Sequence, residues 1–312
     1  PIPSRGLGDV YKRQGFYFIM EFKYWLILSI LGAVWGSAFI FIKIAAPEFG
    51  AVGLVQTRLL IASLVFLPVL FTKKYFNLLK PAWKHSLVLA VTNNAIPFTL
   101  FSFGSFGADS NILAILNATT AFNTMIIAFL WLGEKVTTKQ IFGLILGFIG
   151  VIILVNPESS STSIFSAILC LIGAACYSFS TVFIQKYSNN TDKFVLIGWS
   201  IVFSCIIMIP ITLLNLPSEM PSSRAILSAT WLGSISTGLA FFGYVYLIEQ
   251  IGAVKTSTVA YFLPIFGIIW GAVFLNEIIT LGIISGCITI LIGVFFATSN
   301  KKNDIKGEMH AN

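Results

Sequence analysis

The sequence predicts an all-α integral membrane protein in which ten transmembrane helices form two inverted five-helix repeats. Composition is the first observation behind this prediction: 57% of the 312 residues are hydrophobic and 10% are charged, and the mean hydropathy is +0.91. Soluble domains of this length are much less apolar. The second observation is a set of ten apolar segments, each near the roughly 20 residues that a helix needs to cross the hydrocarbon core. The segments cover approximately residues 24–46, 51–71, 84–104, 111–132, 138–156, 164–186, 194–214, 226–248, 255–275 and 279–298.

An internal duplication is the third observation. Residues 257–298 repeat the pattern of residues 114–155 at a shift of 143 positions, and each copy has an apolar helix, a short Glu-x-x-Thr turn and a glycine-bearing helix. Five helices per repeat is an odd number, so the two repeats cross the membrane in opposite directions. Inverted repeats of this kind are typical of secondary transporters, whose substrate site lies between the repeats near the bilayer midplane.

The repeats define the predicted domain boundaries. Residues 20–156 form the first repeat with helices 1 to 5, residues 164–298 form the second with helices 6 to 10, and residues 299–312 form a cytoplasmic tail. Residues 1–19 have neither a cleavable apolar core nor helical periodicity. We interpret them as a non-native or disordered leader and expect Met20 to be the natural start.

The lysines predict the orientation of the chain in the membrane. With ten spans, the loops fall into two alternating sets, one on each side of the membrane. One set is rich in lysine, and the other has only Lys43, Arg58 and Arg224, of which the first two lie within helices. By the positive-inside rule, the lysine-rich loops and both termini are cytoplasmic, which explains the net charge of +7 without a nucleic-acid partner. The lysines on that side are Lys23, Lys73, Lys74, Lys80, Lys84, Lys135, Lys139, Lys186, Lys193, Lys255, Lys301, Lys302 and Lys306.

Several segments together resemble the drug/metabolite transporter superfamily, EamA type. They are the Trp35–Lys43 run in the first span, Arg58 in the second, the two Glu-x-x-Thr turns, and the Ser236–Tyr244 run followed by Tyr261–Pro264. The resemblance covers residues 21–298 and implies a multi-pass carrier in the bacterial inner (plasma) membrane. It further implies export of small metabolites, amino-acid-like solutes or drugs by alternating access between the two repeats.

The polar residues at membrane depth are the first candidates for a substrate site, because such groups are costly in hydrocarbon and are usually functional. Asn93 and Asn94 lie near the middle of the third span, and the shift of 143 superposes them on Ser236 and Thr237 near the middle of the eighth. Symmetric polar pairs at the midplane suit a site shared by two repeats. The alternative is that they form interhelical hydrogen bonds.

Further candidates surround these four residues. Asn117 lies on a small-residue face of the fourth helix, where the alternative is close helix packing. Aromatic side chains could stack on a planar solute or simply fill the bundle. The aromatic candidates for substrate binding are Trp35, Tyr244 and Tyr261, and Tyr177 occupies a related place in the sixth span.

Arg58 lies about seven residues into the second span, roughly 10 Å deep at 1.5 Å per residue. Its guanidinium either extends to the outer interface or faces a cavity and binds an anionic group. Pro97 and Pro264 are candidates for helix bending or gating. The first repeat has Ala121 where the second has Pro264, whereas members of the resembled family often have proline in both, so we expect the two halves to bend unequally.

The turn motif pairs Glu134 with Glu277 and Thr137 with Thr280. The glutamates are possible proton carriers, but capping is favoured, because each threonine can cap the next helix and an acidic group near a helix N-terminus is stabilised by the dipole. No Asp or Glu lies in the middle of any span. Uniport, exchange and coupling through another group all remain open.

Other classes of protein have less support in the sequence. The only histidines are His85 and His310, and no catalytic or metal-binding constellation is present, so we expect neither an enzyme nor a cofactor nor a metal site. A flippase of a lipid or lipid-linked intermediate is the alternative function. The expected partners are a small-molecule substrate and the lipid bilayer, with the chain acting as a monomer or a homodimer. The four cysteines, all in apolar runs, are expected to be free thiols.

Overall fold

The computed structural model describes residues 21–155, 162–187, 191–251, 256 and 258–297, and within these ranges the only regular secondary structure is helical. The predicted leader (1–19) and tail (299–312) lie outside the described residues. The elements in chain order are α1 (Phe22–Leu70), α2 (Lys73–Asn77), α3 (Leu79–Leu89), a π-helical segment (Ala90–Ala95), α4 (Ile96–Gly104), α5 (Ser110–Asn117), α6 (Thr120–Leu132), α7 (Thr138–Val155), α8 (Ile164–Tyr187), α9 (Lys193–Leu213), α10 (Ser223–Trp231), a second π-helical segment (Leu232–Leu239), α11 (Ala240–Ile251), α12 (Val259–Leu275) and α13 (Leu281–Ala297).

Helix α1 contains two spans, because Gly50 breaks it with φ 70° and ψ 156°. Side chains are essentially excluded from this conformation, so glycine is required there for backbone reasons. A Cβ at Gly50 would meet no atom within 4 Å, so packing is not the reason. The described residues contain seven apolar helical stretches of at least 18 residues and two shorter ones, α12 and α13. With α1 counted twice, these are the ten predicted spans, and the predicted fold class is confirmed.

The ten spans alternate in direction, so the bundle has two ends. We call them the Phe22 end, where the first span begins, and the Gly50 end, where it finishes. Contacts agree with this alternation. At the Gly50 end, Lys43 donates a hydrogen bond to the Ala108 carbonyl over 2.7 Å. At the Phe22 end, Gln140 donates to the Ala297 carbonyl over 3.2 Å.

The fifth and tenth spans, α7 and α13, pack against each other through glycines. A Cβ on Gly143 would lie 2.6 Å from the Gly293 carbonyl oxygen, and one on Gly293 would lie 2.7 Å from the Gly143 oxygen. Both distances are too short for any side chain, so these positions bring the two backbones into direct contact, as small residues do in membranes. The shift of 143 superposes Gly143 on Gly286, so α7 and α13 are equivalent helices of the two repeats. The contact between Gly143 and Gly293 therefore joins matching helices around the repeat axis.

The bundle presents apolar side chains outward as well as inward. Leu130, Ile152 and Phe165 are 74%, 70% and 69% exposed. Exposed apolar residues at this density mark a lipid-facing surface. The four cysteines are free, as predicted.

The third and eighth spans each contain a π-helical segment, at Ala90–Ala95 and Leu232–Leu239. The two segments are equivalent under the repeat shift, and they hold the four polar residues singled out in the sequence. Single π turns occur often at functional sites, because they widen the helix and redirect side chains. Pro97, just after the first segment, lacks an N–H group. Its counterpart is Ala240, so the second segment does not depend on proline.

Close approach of the second span accompanies the π turn of the eighth. A Cβ on Gly233 would lie 2.8 Å from the Arg58 carbonyl oxygen and 2.6 Å from Ile61 Cβ. Glycine at this position therefore lets the backbone of the eighth span reach that of the second. The contact brings Arg58 beside the π-helical segment.

Candidate functional site

A cavity of about 290 Å³ lies between the repeats. Spans 1 to 4 of the first repeat and spans 6 to 9 of the second all contribute to its wall. The residues that line it are Trp35, Ala38, Phe39, Ile42, Arg58, Asn93, Phe98, Phe101, Asn117, Thr120, Tyr177, Thr181, Ile184, Ile197, Ser236, Phe241, Tyr244, Val259, Ala260 and Leu263. The wall is therefore largely aromatic and aliphatic, with a few polar groups at fixed places, which is the composition of small-ligand pockets.

The structure brings six of the nine predicted substrate-binding residues to this cavity: Trp35, Arg58, Asn93, Asn117, Ser236 and Tyr244. The other three lie behind the wall. Asn94 and Thr237 are 1% and 0% exposed, and Tyr261 packs against the apolar core of the bundle. Each adjacent polar pair thus supplies one residue to the cavity and one to a helix contact.

Arg58 does not extend to the interface. Its side chain lines the cavity and is 8% exposed. The Nε group donates a 2.6 Å hydrogen bond to Thr237 Oγ1, and the guanidinium carbon lies 3.7 Å from the centroid of the Phe98 ring. These contacts fix the plane of the guanidinium over an aromatic face, where a cation is attracted by the ring quadrupole.

Trp35 joins the first span to the π-helical segment of the eighth. Its Nε1–H group donates to the Ser236 carbonyl over 2.9 Å, and the Ser236 hydroxyl donates to the Val34 carbonyl over 3.4 Å. The indole packs against the rings of Tyr244 and Phe241, with centroids 5.2 Å and 5.8 Å away. Because its polar edge is already satisfied, Trp35 offers the cavity an oriented apolar face.

The π-helical segment of the third span is held by side chains from the seventh span. The Ser204 hydroxyl donates to the Ala90 carbonyl over 2.8 Å, and Asn94 Nδ2 donates to Ser200 Oγ over 3.0 Å. Asn93 Nδ2 donates to Asn94 Oδ1 over 3.3 Å. Asn94 therefore fixes its neighbour, and Asn93 carries the polar edge into the cavity.

Asn117 places an unsatisfied acceptor at the cavity. Its Oδ1 atom is buried and has no hydrogen-bond partner among the described residues. A buried polar atom without a partner is destabilising, and at a cavity wall it is free to bind a ligand donor. Asn117 ends helix α5, and the chain turns at Ala118 before α6 begins, so the fourth span is interrupted at cavity depth.

The two predicted bending prolines have different surroundings. Pro97 lies in the first turn of α4, directly after a π-helical segment. Pro264 lies inside α12, is buried, and follows the cavity-lining Leu263. Both are therefore next to the cavity wall.

The two turn motifs cap their following helices through threonine. Thr280 Oγ1 accepts from the Ile283 N–H over 3.1 Å, and Thr137 Oγ1 accepts from the Gln140 N–H over 3.4 Å. The glutamates act elsewhere, which corrects the expectation that they stabilise the same helices. Glu134 Oε1 accepts from Gln185 Nε2 over 2.9 Å.

Glu277 caps a helix of the opposite repeat. Its Oε1 and Oε2 atoms accept from the backbone N–H groups of Ser110 and Asn111 over 2.7 Å and 3.1 Å. These donors open helix α5, so the carboxylate also meets the positive end of the helix dipole. Gly271 leaves room for it, because a Cβ there would overlap the Glu277 carboxylate. We call this contact the Glu277 cap.

Other polar contacts lie at the same end of the bundle. The Lys43 ammonium donates to the Ser105 and Ala108 carbonyls over 3.0 Å and 2.7 Å and lies 3.7 Å from Asp109. Glu48 accepts from the Ser222 backbone N–H over 2.5 Å and from its hydroxyl over 2.9 Å. Of these, the contact between Glu48 and Ser222 joins the two repeats at the Gly50 end, as the Glu277 cap does.

The cavity extends towards the Phe22 end. Thr181 and Ile184 lie in the last turns of α8, and Ile197 and Val259 lie in the first turns of α9 and α12. All four positions are on the Phe22 side of the midplane. Ile42 and Phe101, near the ends of the first and third spans, line the cavity on the Gly50 side. The lining therefore extends to both sides of the midplane.

Several lining residues were missed in the sequence. Phe98 supports Arg58, and Thr120 and Thr181 add hydroxyls to the wall. Tyr177 had been noted as an aromatic candidate and does line the cavity. Threonine and phenylalanine are common in spans, so their types carried no signal. Only proximity of Phe98 to Asn93 and Asn94, one helical turn away, could have drawn attention to it.

This combination of ten spans, inverted repeats and an interrepeat cavity defines a class, the multi-pass membrane transporters. The sequence profile of the EamA-like transporter family matches the chain twice, over residues 23–156 and 164–299. The chain belongs to that family.

Curated relatives match almost the whole chain. An uncharacterized transporter of Archaeoglobus fulgidus is 21% identical over 89% of this chain and 100% of its own length. The uncharacterized transporter YoaV of Bacillus subtilis is 22% identical over 85% and 93%. A protein of Salmonella typhimurium named "Probable amino-acid metabolite efflux pump" is 23% identical over 88% and 95%. One protein crystal structure, 13% identical, superposes with a TM-score of 0.64 over 88% of this chain and 96% of that one, which supports the fold.

Proposed function

We propose that this protein is a secondary transporter that moves a small solute through the interrepeat cavity by alternating access. The observation that carries this proposal is the cavity itself, which residues of both repeats line near the midplane. Transporters with inverted repeats expose such a site to the two sides of the membrane in turn by rocking one repeat against the other. Two hydrogen bonds of the Glu277 cap join the repeats at the Gly50 end, and they support our assignment of the structure to the state in which that end is closed.

The lysine distribution supports a cytoplasmic location for the Phe22 end, by the positive-inside rule. With that orientation, the cavity faces inward and the Glu277 cap closes the outer side. Conversion to the outward-facing state requires the Glu277 cap and the contact between Glu48 and Ser222 to break, because both join the two repeats at the Gly50 end. Glycine contacts between α7 and α13 join matching helices around the repeat axis, so they can persist while the ends open and close.

Cavity size favours a small solute over a lipid. About 290 Å³ is just below the roughly 300 to 1,000 Å³ of pockets for drug-sized ligands. An amino-acid-like metabolite fits this space, and a two-chain lipid does not. The name of the Salmonella typhimurium relative, a probable amino-acid metabolite efflux pump, supports the same substrate class and the export direction. We place the protein in the bacterial plasma membrane, with one chain forming the complete transport pathway.

Transport can be tested without knowing the solute. Proteoliposomes containing the purified chain are loaded with a bacterial metabolite extract, and the solutes that leave are identified by mass spectrometry. Ala38 is buried and lines the cavity, so Ala38→Trp should fill it and abolish release. The matched control is Ile152→Trp on the lipid-facing surface, which should release the same solutes as the unmodified chain.

The same vesicles test the alternative function. A labelled phospholipid is placed in the inner leaflet, and its appearance in the outer leaflet is followed. Lipid movement sensitive to Ala38→Trp, with no solute released, would contradict the proposal and identify a flippase.

A further inference from the structure

We propose that the transported solute is an amphipathic monoanion whose carboxylate binds Arg58 and whose apolar body lies against the aromatic wall of the cavity. This inference rests on the proposed function and narrows its substrate class, from small amino-acid-like metabolites in general to carboxylates of that size without an ammonium group. It follows from the surroundings of Arg58, the placement of every described acidic group, and the arrangement of rings around the cavity.

Arg58 has unused hydrogen-bond donors in the cavity. A guanidinium carries five N–H donors, and among the described residues Arg58 forms one hydrogen bond, from Nε to Thr237. Its terminal amino groups therefore keep their donors for another partner. Because Thr237 and the Phe98 ring fix the orientation of the group, these donors form a preorganised fork of the geometry that binds a carboxylate through two parallel hydrogen bonds.

Arg58 also has no counter-ion in the described part of the chain. The ion pairs there are Lys23 with Glu21 and Lys43 with Asp109. Each of the remaining described carboxylates lies near a helix end with another partner or with its side chain exposed: Glu48 at Ser222, Glu134 at Gln185, Asp192 at the start of α9, Glu277 at α5, and the exposed Glu219 and Glu249.

An unpaired cation at membrane depth is costly, and a functional anion that binds it would offset this cost. The positive charge of Arg58 is not repeated in the second repeat, because the equivalent position there is Ile201. The cavity therefore has a positive side, unlike a site built only from symmetric polar pairs. An anionic group of the solute has one place to bind, and this fixes the direction in which the solute lies.

The rest of the wall defines the remainder of the solute. Trp35, Tyr177 and Tyr244 line the cavity together with Phe98, and the indole edge of Trp35 is already hydrogen-bonded to Ser236. These rings suit an apolar or aromatic body. Among the described residues, those that line the cavity include no Asp or Glu, so an ammonium group would find no opposite charge there. A simple monocarboxylate should therefore bind more tightly than the zwitterion of the same size.

Three ligands of one scaffold test the charge requirement. They are 3-phenylpropanoate, its neutral amide 3-phenylpropanamide, and the zwitterion phenylalanine, each titrated calorimetrically into the purified full chain in detergent. Charge-assisted hydrogen bonds to one guanidinium correspond to a preference of roughly 10-fold to 150-fold for the carboxylate over the amide. Phenylalanine should lie between them or match the amide.

Variants then assign the preference to Arg58. Arg58→Gln should remove it by weakening carboxylate binding roughly 10-fold to 150-fold while amide binding stays unchanged, and Arg58→Lys, which keeps the charge without the fork, should restore part of it. Arg224→Gln is the matched control, because Arg224 is exposed at the start of α10. Thermal unfolding identifies any variant that has lost its fold, and the three-ligand comparison on the unmodified chain stands without the variants.

Equal binding of amide and carboxylate, or no binding of the carboxylate, would overturn the inference, as would a preference that survives in Arg58→Gln. If the amide binds as tightly as the carboxylate and Ala38→Trp abolishes this binding, the cavity remains the transport site but the solute need not be an anion. Carboxylate binding that persists in Ala38→Trp would place the site elsewhere and contradict the proposed function as well. If a short-chain phosphatidic acid displaces 3-phenylpropanoate and no other carboxylate does, Arg58 would be assigned to a lipid phosphate instead.

Discussion

The two ends of the molecule carry the same Glu-x-x-Thr turn but use its glutamate differently. At the Gly50 end, Glu277 reaches across the repeat boundary and caps α5. At the Phe22 end, Glu134 accepts from an exposed glutamine, Gln185. Both threonines cap their own following helices, and both glutamates contact a residue of the other repeat. The two contacts differ in the partner: Glu277 accepts from two backbone N–H groups at a helix start, whereas Glu134 accepts from one exposed side-chain amide. The comparison shows that the glutamate of this motif can join the two repeats at either end, with two hydrogen bonds to a helix start for Glu277 and one exposed hydrogen bond for Glu134.

The largest expected effect concerns which end faces which side of the membrane. In a background without the four native cysteines, Asn276→Cys and Glu219→Cys should react with an impermeant maleimide in intact cells, because they lie at the Gly50 end. Lys73→Cys and Lys193→Cys should react only after permeabilisation. Reaction of Lys193→Cys in intact cells would contradict the lysine-based orientation. We also expect Glu158 on the outer side of the membrane and the tail after Ser299 in the cytoplasm. Both are beyond the residues that the structure describes.

Removal of the Glu277 cap should open the Gly50 end. Glu277→Gln loses the charge on two hydrogen bonds to α5, worth about 1.5 to 3 kcal/mol, which shifts the balance between closed and open states roughly 10-fold to 150-fold. A cavity cysteine, Thr120→Cys, should then react faster with an impermeant maleimide added to intact cells. Glu134→Gln is the matched control, and we expect it not to increase that reaction.

Equal labelling rates for the two glutamate variants would show that the different contacts have no energetic consequence. A rate increase in Glu134→Gln alone would reverse the assignment of the closed end. Either result would leave the cavity residues unaffected as candidates, because the labelling reports on the ends and not on binding.

A smaller effect distinguishes cavity residues from those behind the wall. Asn94 is bonded to Ser200 and Thr237 to Arg58, so Asn94→Ala should lower thermal stability while Thr237→Val should also loosen the guanidinium. Loss of one hydrogen bond corresponds to about 0.5 to 1.5 kcal/mol. Asn93→Ala, at the cavity edge, should weaken binding of a substrate and leave the unfolding temperature nearly unchanged. Unchanged affinity together with lowered stability in all three variants would assign both pairs to packing.

The smallest effect is expected for the contact between Glu48 and Ser222. It lies at the same end as the Glu277 cap but is exposed, and exposed polar contacts contribute little to stability. Glu48→Gln should leave labelling of the Thr120→Cys reporter unchanged. An increase as large as that of Glu277→Gln would show that closure is distributed over the whole outer surface and does not depend on the cap.

The comparison of neighbouring residues explains how far the site could be predicted from the sequence. Asn93 and Asn94 were selected together for their depth, yet Asn93 lines the cavity and Asn94 contacts the seventh span. Successive residues of a helix differ by about 100° in direction, so depth can be estimated from position along a span, whereas facing depends on the rotation of that span. The π-helical segments change the direction in which side chains leave the helix, and the residue pattern did not predict these segments.

The sequence by itself determined the ten spans, the inverted repeats and the apolar environment of the polar pairs, because apolar length and duplication are properties of the chain along one dimension. Only the tertiary structure decided that Arg58 faces the cavity and that Glu277 caps α5, 167 residues from Ser110. Both results depend on distances between helices that are far apart in the chain. The guanidinium turns inward because Gly233 brings the eighth span against the second, and no local pattern around Arg58 encodes that approach.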